Sequence, residues 1–296
     1  MAKNIWIGTD TGNEGDFGTA ANWSEGSVPV ADDDIYFENS AQSCDVGVNR
    51  SGMAGAYDSV NIAQSFTGSI GTADAALQVN TDIVNIGYHN GPGAPKGSPL
   101  VNIDSGTVAC VYTVSNTGTS ADTAKSPVRI KADNSSNTLV VYKGKVSVGT
   151  ETSDITTDFA TVTVSYSSKQ TSDSDVFIGS GVTLADLNIL GGDVVLECAA
   201  TDITVEAGTL LTTGTGAITN LYVKGGVVTS NSTGTITLLD VFGGTGLVDF
   251  TKSNASRTVT DTQLDPGGVI KFNDAYLSSF DVIPHTASRN VTYTAS

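Results

Sequence analysis

The stretch Leu187-Asn188-Ile189-Leu190-Gly191-Gly192 returns four more times, changed in side chains but kept in pattern. Val205-Glu206-Ala207-Gly208 comes next, followed by Leu221-Tyr222-Val223-Lys224-Gly225-Gly226, Leu239-Asp240-Val241-Phe242-Gly243-Gly244 and Leu264-Asp265-Pro266-Gly267-Gly268. The closing glycines at 192, 208, 226, 244 and 268 are spaced by 16, 18, 18 and 24 residues. A drifting period near twenty, with strand-forming residues before each glycine, is the sequence form of a β-solenoid. One coil cannot bury its own apolar face. Stacked coils can, each strand hydrogen-bonded to its counterparts roughly 4.8 Å above and below.

Composition fits that reading. The chain has 296 residues, and a length prior would suggest two domains, but a solenoid grows along one axis without a second core. Apolar residues make up 39%, enough for a narrow continuous core, and charged residues only 15%, so solubility leans on Ser, Thr, Asn and Gly. Acidic residues outnumber basic ones 31 to 14, a net charge of -17. That balance argues against nucleic acid or an anionic membrane surface as the main partner, since both attract clustered Lys and Arg. Cys44, Cys110 and Cys198 are far apart and show no C-x-x-C spacing, which speaks against a zinc knuckle or a disulfide framework. Cys198, in Val194-Val195-Leu196-Glu197-Cys198, reads as a small core residue. The opening Met1-Ala2-Lys3-Asn4-Ile5-Trp6 has no apolar signal region, so the expectation is synthesis in a cytoplasm without export. No apolar run approaches the roughly 18–20 residues of a membrane span.

The first forty residues differ from the rest. They hold both tryptophans, Trp6 and Trp23, around the Gly-rich acidic loop Asp10-Thr11-Gly12-Asn13-Glu14-Gly15-Asp16. The tryptophans are expected to plug the open end of the apolar stack, where unpaired strand edges invite aggregation. Trp6 and Gly8, then Asn22-Trp23 followed by Gly26, Pro29, Asp34 and Phe37, resemble the opening of many bacterial and phage β-solenoid surface proteins. The secreted members carry a leader, and often a C-terminal barrel or anchor, that this sequence lacks. Without them the chain is most similar to virion structural proteins of tailed phages, the capsid decoration (cement) and tail-associated proteins. That resemblance implies a virion location, with the major capsid protein or other virion subunits as partners.

Beyond Ser59, short strands follow one another, among them Val60-Asn61-Ile62, Ile83-Val84-Asn85-Ile86 and Val101-Asn102-Ile103. Between the last two, residues 91–99 are too rich in Gly and Pro for any regular element, and such a loop is where a solenoid places recognition. Gly91, Pro92, Pro95, Lys96 and Pro99 are therefore candidate partner contacts. At about twenty residues per coil, residues 60–272 give on the order of ten coils. The expected division is an N-terminal cap over 1–58, a right-handed parallel β-solenoid over 59–272 and a C-terminal cap or arm over 273–296. No amphipathic helix is evident, so the fold class is all-β.

Catalytic chemistry has little to stand on. Histidine occurs only at His89 and His285, and no H-E-x-x-H, P-loop or G-x-S-x-G motif is present. Parallel β-helices include enzymes that cleave polysaccharides with carboxylate pairs, for which Asp186, Glu206 and Asp240, or Asp173 with Asp175, are the candidates. Lys and Arg, which a lyase needs against a sugar carboxylate, are scarce beside them. Asp10, Asn13, Glu14 and Asp16 are hard oxygen donors in one loop, the set calcium prefers, though the EF-hand order is missing. Tyr222 and Phe242 are read as sharing a repeat position, an aromatic pair for stacking on sugar rings. The leading expectation is a non-enzymatic capsid decoration protein without cofactor, assembled as a homo-oligomer, with a trimer the first guess. The alternatives are a tail fibre or adhesin that binds host glycans and, third, a polysaccharide-cleaving β-helix.

Overall fold

A computed structural model describes residues 3–48, 56–88, 97–120, 125–149, 157–165, 174–253, 256–272, 277–284 and 292–295, the last two stretches as backbone only. The architecture is the expected parallel β-solenoid. The chain winds between two parallel sheets, and most turns give one strand to each. Among the described residues the first sheet has 13 strands, from Lys3–Ile5 and Asp34–Phe37 through to Arg257–Leu264 and Leu277–Pro284. The second runs from Leu77–Gln78 and Val101–Asp104 to Val269–Phe272 and Thr292–Ala295. One long strand, Thr138–Val148, serves both. Its first part pairs with Val111–Ser115 in the first sheet, and its second part pairs with Val128–Lys131 in the other.

In-register pairing turns the alternation of each strand into columns. On the first sheet one column runs Ile35, Val60, Val84, Tyr112, Leu139, Val162, Leu187, Ile203, Leu221 and Leu239, each the partner of the next. A second column starts at Phe37 and Ile62 and ends at Val241 and Leu264. Every residue named in these columns is buried. Strand side chains alternate between faces, so the intervening residues point outward, and a one-residue slip would exchange the two sets. The second sheet supplies the facing columns, for example Val128, Val146, Val176, Val194, Leu210, Val228 and Val248. All three cysteines are buried and unpaired with one another. Burial pushes the Cys110 and Cys198 thiols up to about 12, as expected of small core residues.

The punctuating glycines are the corner between the sheets. Gly192, Gly208 and Gly226 each follow a first-sheet strand and precede a second-sheet one, and each has a positive φ, +83, +79 and +72. A Cβ on Gly226 would lie 2.5 Å from the carbonyl oxygen of Gly208 one rung below. Only a residue without a side chain stacks directly on its own kind there. The fourth member of the column is Gly246, since Val227 pairs with Leu247; Gly244 lies two residues earlier in a longer corner. Pairing also extends past both expected boundaries. Lys3–Ile5 and Asp34–Phe37, inside the expected cap, are already rungs, and Leu277–Pro284 and Thr292–Ala295 add a coil beyond 272.

The N-terminal plug is aromatic. Trp6 and Trp23 meet edge to face at 5.2 Å, Phe17 packs on Trp23 at 4.9 Å, and Phe37 joins both to Phe66. All five are buried, and both indole N–H groups are satisfied: Trp6 Nε1 donates to the Gln42 carbonyl and Trp23 Nε1 to that of Phe17, each at 2.9 Å. Large rings with a satisfied polar edge close the apolar column where no further rung covers it.

Candidate functional site

Neighbouring coils usually turn a corner alike, but two do not. After Val111–Ser115 the chain takes residues 116–127 before it re-enters the second sheet at Val128. The next coil turns the same corner within one strand, Thr138–Val148, at Gly144, whose φ is +97. A Cβ at Gly144 would collide with the Asn116 carbonyl oxygen, so the base of the longer connection rests directly on the shorter one. Asn116 is buried, donates through Nδ2 to the Ser98 carbonyl at 3.0 Å and accepts from the Ser98 N–H at 3.1 Å. Gln64 completes this polar corner. Its Nε2 donates to the Ser115 carbonyl, and its Oε1 accepts from the Thr117 hydroxyl at 3.0 Å.

The mismatch leaves a cleft of about 430 Å³. Asn116, Thr117, Gly118, Thr119, Ser120, Lys125 and Pro127 form one side; Lys143, Gly144, Lys145, Asp175 and Asp193 form the other. Lys145, Asp175 and Asp193 occupy one outward ladder on three successive rungs of the second sheet. Lys145 Nζ lies 3.1 Å from Asp175 Oδ2 with both side chains about half exposed, an arrangement that adds little stability. Asp193 Oδ1 accepts from the Thr209 hydroxyl at 2.6 Å.

The charge here contrasts with the rest of the chain. Lys125, Arg129, Lys131, Lys143 and Lys145 all fall within residues 125–145, out of 14 basic residues in the sequence. Two of them have structural work: Arg129 donates to the Ala73 carbonyl at 3.2 Å, and Lys131 pairs with Asp104 at 3.3 Å. The other three line the cleft. The sequence reading passed over them because it sought cations beside the repeat, whereas these lie in the irregular coils before it. The segment Tyr142-Lys143-Gly144-Lys145 was the available signal: two lysines flanking a glycine in the middle of a strand.

The residues expected from sequence to form sites are dispersed. In the N-terminal loop, Asp10 Oδ2 accepts from Asn13 Nδ2 at 2.9 Å, and Asp16 accepts from the Gly18 N–H and the Thr19 hydroxyl. Buried Asn22 organises the loop, accepting from the Asp10 N–H and donating to the carbonyls of Asn13 and Asp16. Glu14 is fully exposed, and the backbone N–H groups of Gly12 and Glu14 hold its carboxyl below the usual range. The four oxygen donors thus serve the turn itself, and among the described residues no three His, Cys, Asp or Glu gather as a metal would require.

Tyr222 and Phe242 do not share a repeat position. Leu221 pairs with Leu239, which places Asp240 on Tyr222, while Phe242 follows the strand end at the level of Lys224. The glycine count misled by two residues, the excess length of the corner before Gly246. Asp186, Glu206 and Asp240 likewise fall on three different ladders. Asp186 pairs with Asp202, Glu206 meets Lys224 at 3.6 Å, and Asp240 lies beside Tyr222. Pro99 is half-buried, whereas Gly91, Pro92, Pro95 and Lys96, both histidines and Asp173 lie outside the described residues.

Comparison of the chain with family models, with curated proteins and with solved structures finds no match. No helix among the described residues is long and apolar enough to cross a membrane.

Proposed function

We propose that this chain is a non-enzymatic structural protein of a virion, a capsid decoration or cement protein that stiffens the outside of a phage head. The observation that carries the mechanical half of this reading is the ladder itself. Thirteen parallel rungs, about 60 Å at roughly 4.8 Å each, share two apolar columns without interruption and are closed at one end by an aromatic plug. Deforming such a rod breaks in-register hydrogen bonds and column packing together, which suits an element that must hold its length under load. The virion context comes from the pattern of Trp6, Gly8, Asn22-Trp23, Gly26 and Pro29, and major capsid protein is the expected partner. Exposed Ile83 and Val111, neighbours on one outward ladder, are suited to a subunit contact.

The test adds purified chain to phage heads assembled without it, counts bound copies and follows the temperature at which the heads rupture. Saturable binding with a raised rupture temperature is the expected result. Heads that bind no chain retire the proposal.

A further inference from the structure

We propose that the corner cleft is a binding site for a short carboxylated saccharide, with Lys125, Lys143 and Lys145 on the sugar carboxylate and Asp175 and Asp193 on ring hydroxyls. Three observations carry it. The cleft, at about 430 Å³, falls within the range of small-molecule sites, roughly 300–1,000 Å³. It concentrates three ammonium groups on a chain with net charge -17, so it is a local attractor for anions on a surface that elsewhere repels them. Its wall also bears two exposed carboxylates and the hydroxyls of Thr117, Thr119 and Ser120.

This mixture selects the ligand class. A site for phosphate would gain nothing from Asp175 and Asp193, which repel a dianion, while a site for a neutral sugar would have no use for three lysines. A sugar acid uses both, because lysines donate to its carboxylate and aspartates accept from its hydroxyls. The base of the cleft is held for the purpose: Gly144 admits the Asn116 backbone, and Asn116 is pinned to Ser98. The inference is independent of the shell-binding proposal and stands or falls without it.

The full chain would be titrated against a panel of carboxylated oligosaccharides built on uronic and sialic acids, their neutral counterparts, and inorganic phosphate. The same panel would be run on K143A/K145A and on K125A, with melting temperature as the check on folding. Binding of at least one carboxylated member is expected, weakened by added salt and by about tenfold or more for each lysine removed at unchanged melting temperature. D175N is expected to weaken binding of the same sugar while leaving any residual affinity for phosphate unchanged or higher. No binding to any carboxylated sugar, equal binding to the neutral ones, preference for phosphate, or full affinity in K143A/K145A each overturns the inference.

Discussion

Two regions of one solenoid close their coils by different means. From Leu187 to Val241 the coils are short: Leu187 pairs with Ile203, Ile203 with Leu221 and Leu221 with Leu239, offsets of 16, 18 and 18 residues. Their corners are stacked glycines, and little backbone is left over. Before and after this region the coils are longer. Ile83 pairs with Val111, an offset of 28, Val111 with Thr138, 27, and Leu239 with Thr262, 23. Here side chains close the turns: Asp104 accepts from the Gly106 N–H, Asp249 from Thr251, and Asn116 from Ser98. The short coils supply regularity and no room, whereas the long ones carry the plug and the cleft. A solenoid built only from the repeat would have a column but no site.

The largest expected effect lies at the plug. Trp23→Ala removes a buried ring that contacts Trp6, Phe17 and Phe37, and it should cost about 3–5 kcal/mol. Urea unfolding measures it, and a loss under about 1 kcal/mol would mean that the plug is dispensable to the column.

A glycine pair sharpens the contrast itself. Gly226→Ala faces both a positive φ and the Gly208 carbonyl at 2.5 Å, so about 2–4 kcal/mol is expected. Gly106, in a long coil, has a φ of +59 but nothing within 4 Å of a Cβ, and Gly106→Ala should cost only about 1 kcal/mol. Equal losses for the two, by the same measurement, would erase the distinction between stacked and open corners.

The smallest effect depends on pH. Burial pushes the Asp249 carboxyl up, but the Thr251 hydroxyl and N–H, with Lys252 and Lys271, outweigh it and hold the group below its ordinary value of 3.8. The folded pKa is the lower one, so this contribution is present above the unfolded pKa and fades as pH falls through the folded one. Melting temperatures of the wild type and Asp249→Asn should differ at neutral pH and converge below about pH 4. Curves that stay parallel down to about pH 2 would show that this turn does not depend on its carboxylate charge.

The alternating segments from Leu187 to Leu264 state the inward columns directly, because in a parallel ladder the period of two and the coil length are both local properties. Trp6 and Trp23 could likewise be assigned to a plug, since rings of that size at the start of an apolar stack have few other places to go. Tyr222 with Phe242 shows where this legibility ends. Glycine spacing gave them a common position, but the extra residues of one corner moved the pair apart, and only strand pairing fixes register. Asp10, Asn13, Glu14 and Asp16 had the composition of a metal loop, yet buried Asn22 folds that loop around its own donors.

By itself, then, the sequence determined the all-β class, the stacked coils, the identity of most inward residues and the glycine corners, all of which follow from side-chain alternation and backbone freedom within one coil. Tertiary structure alone decided which lysines converge. Lys125 and Lys145 are 20 residues apart in the chain. They line one cleft because two adjacent coils turn the same corner with unequal lengths of backbone, a difference that exists only once the coils are stacked.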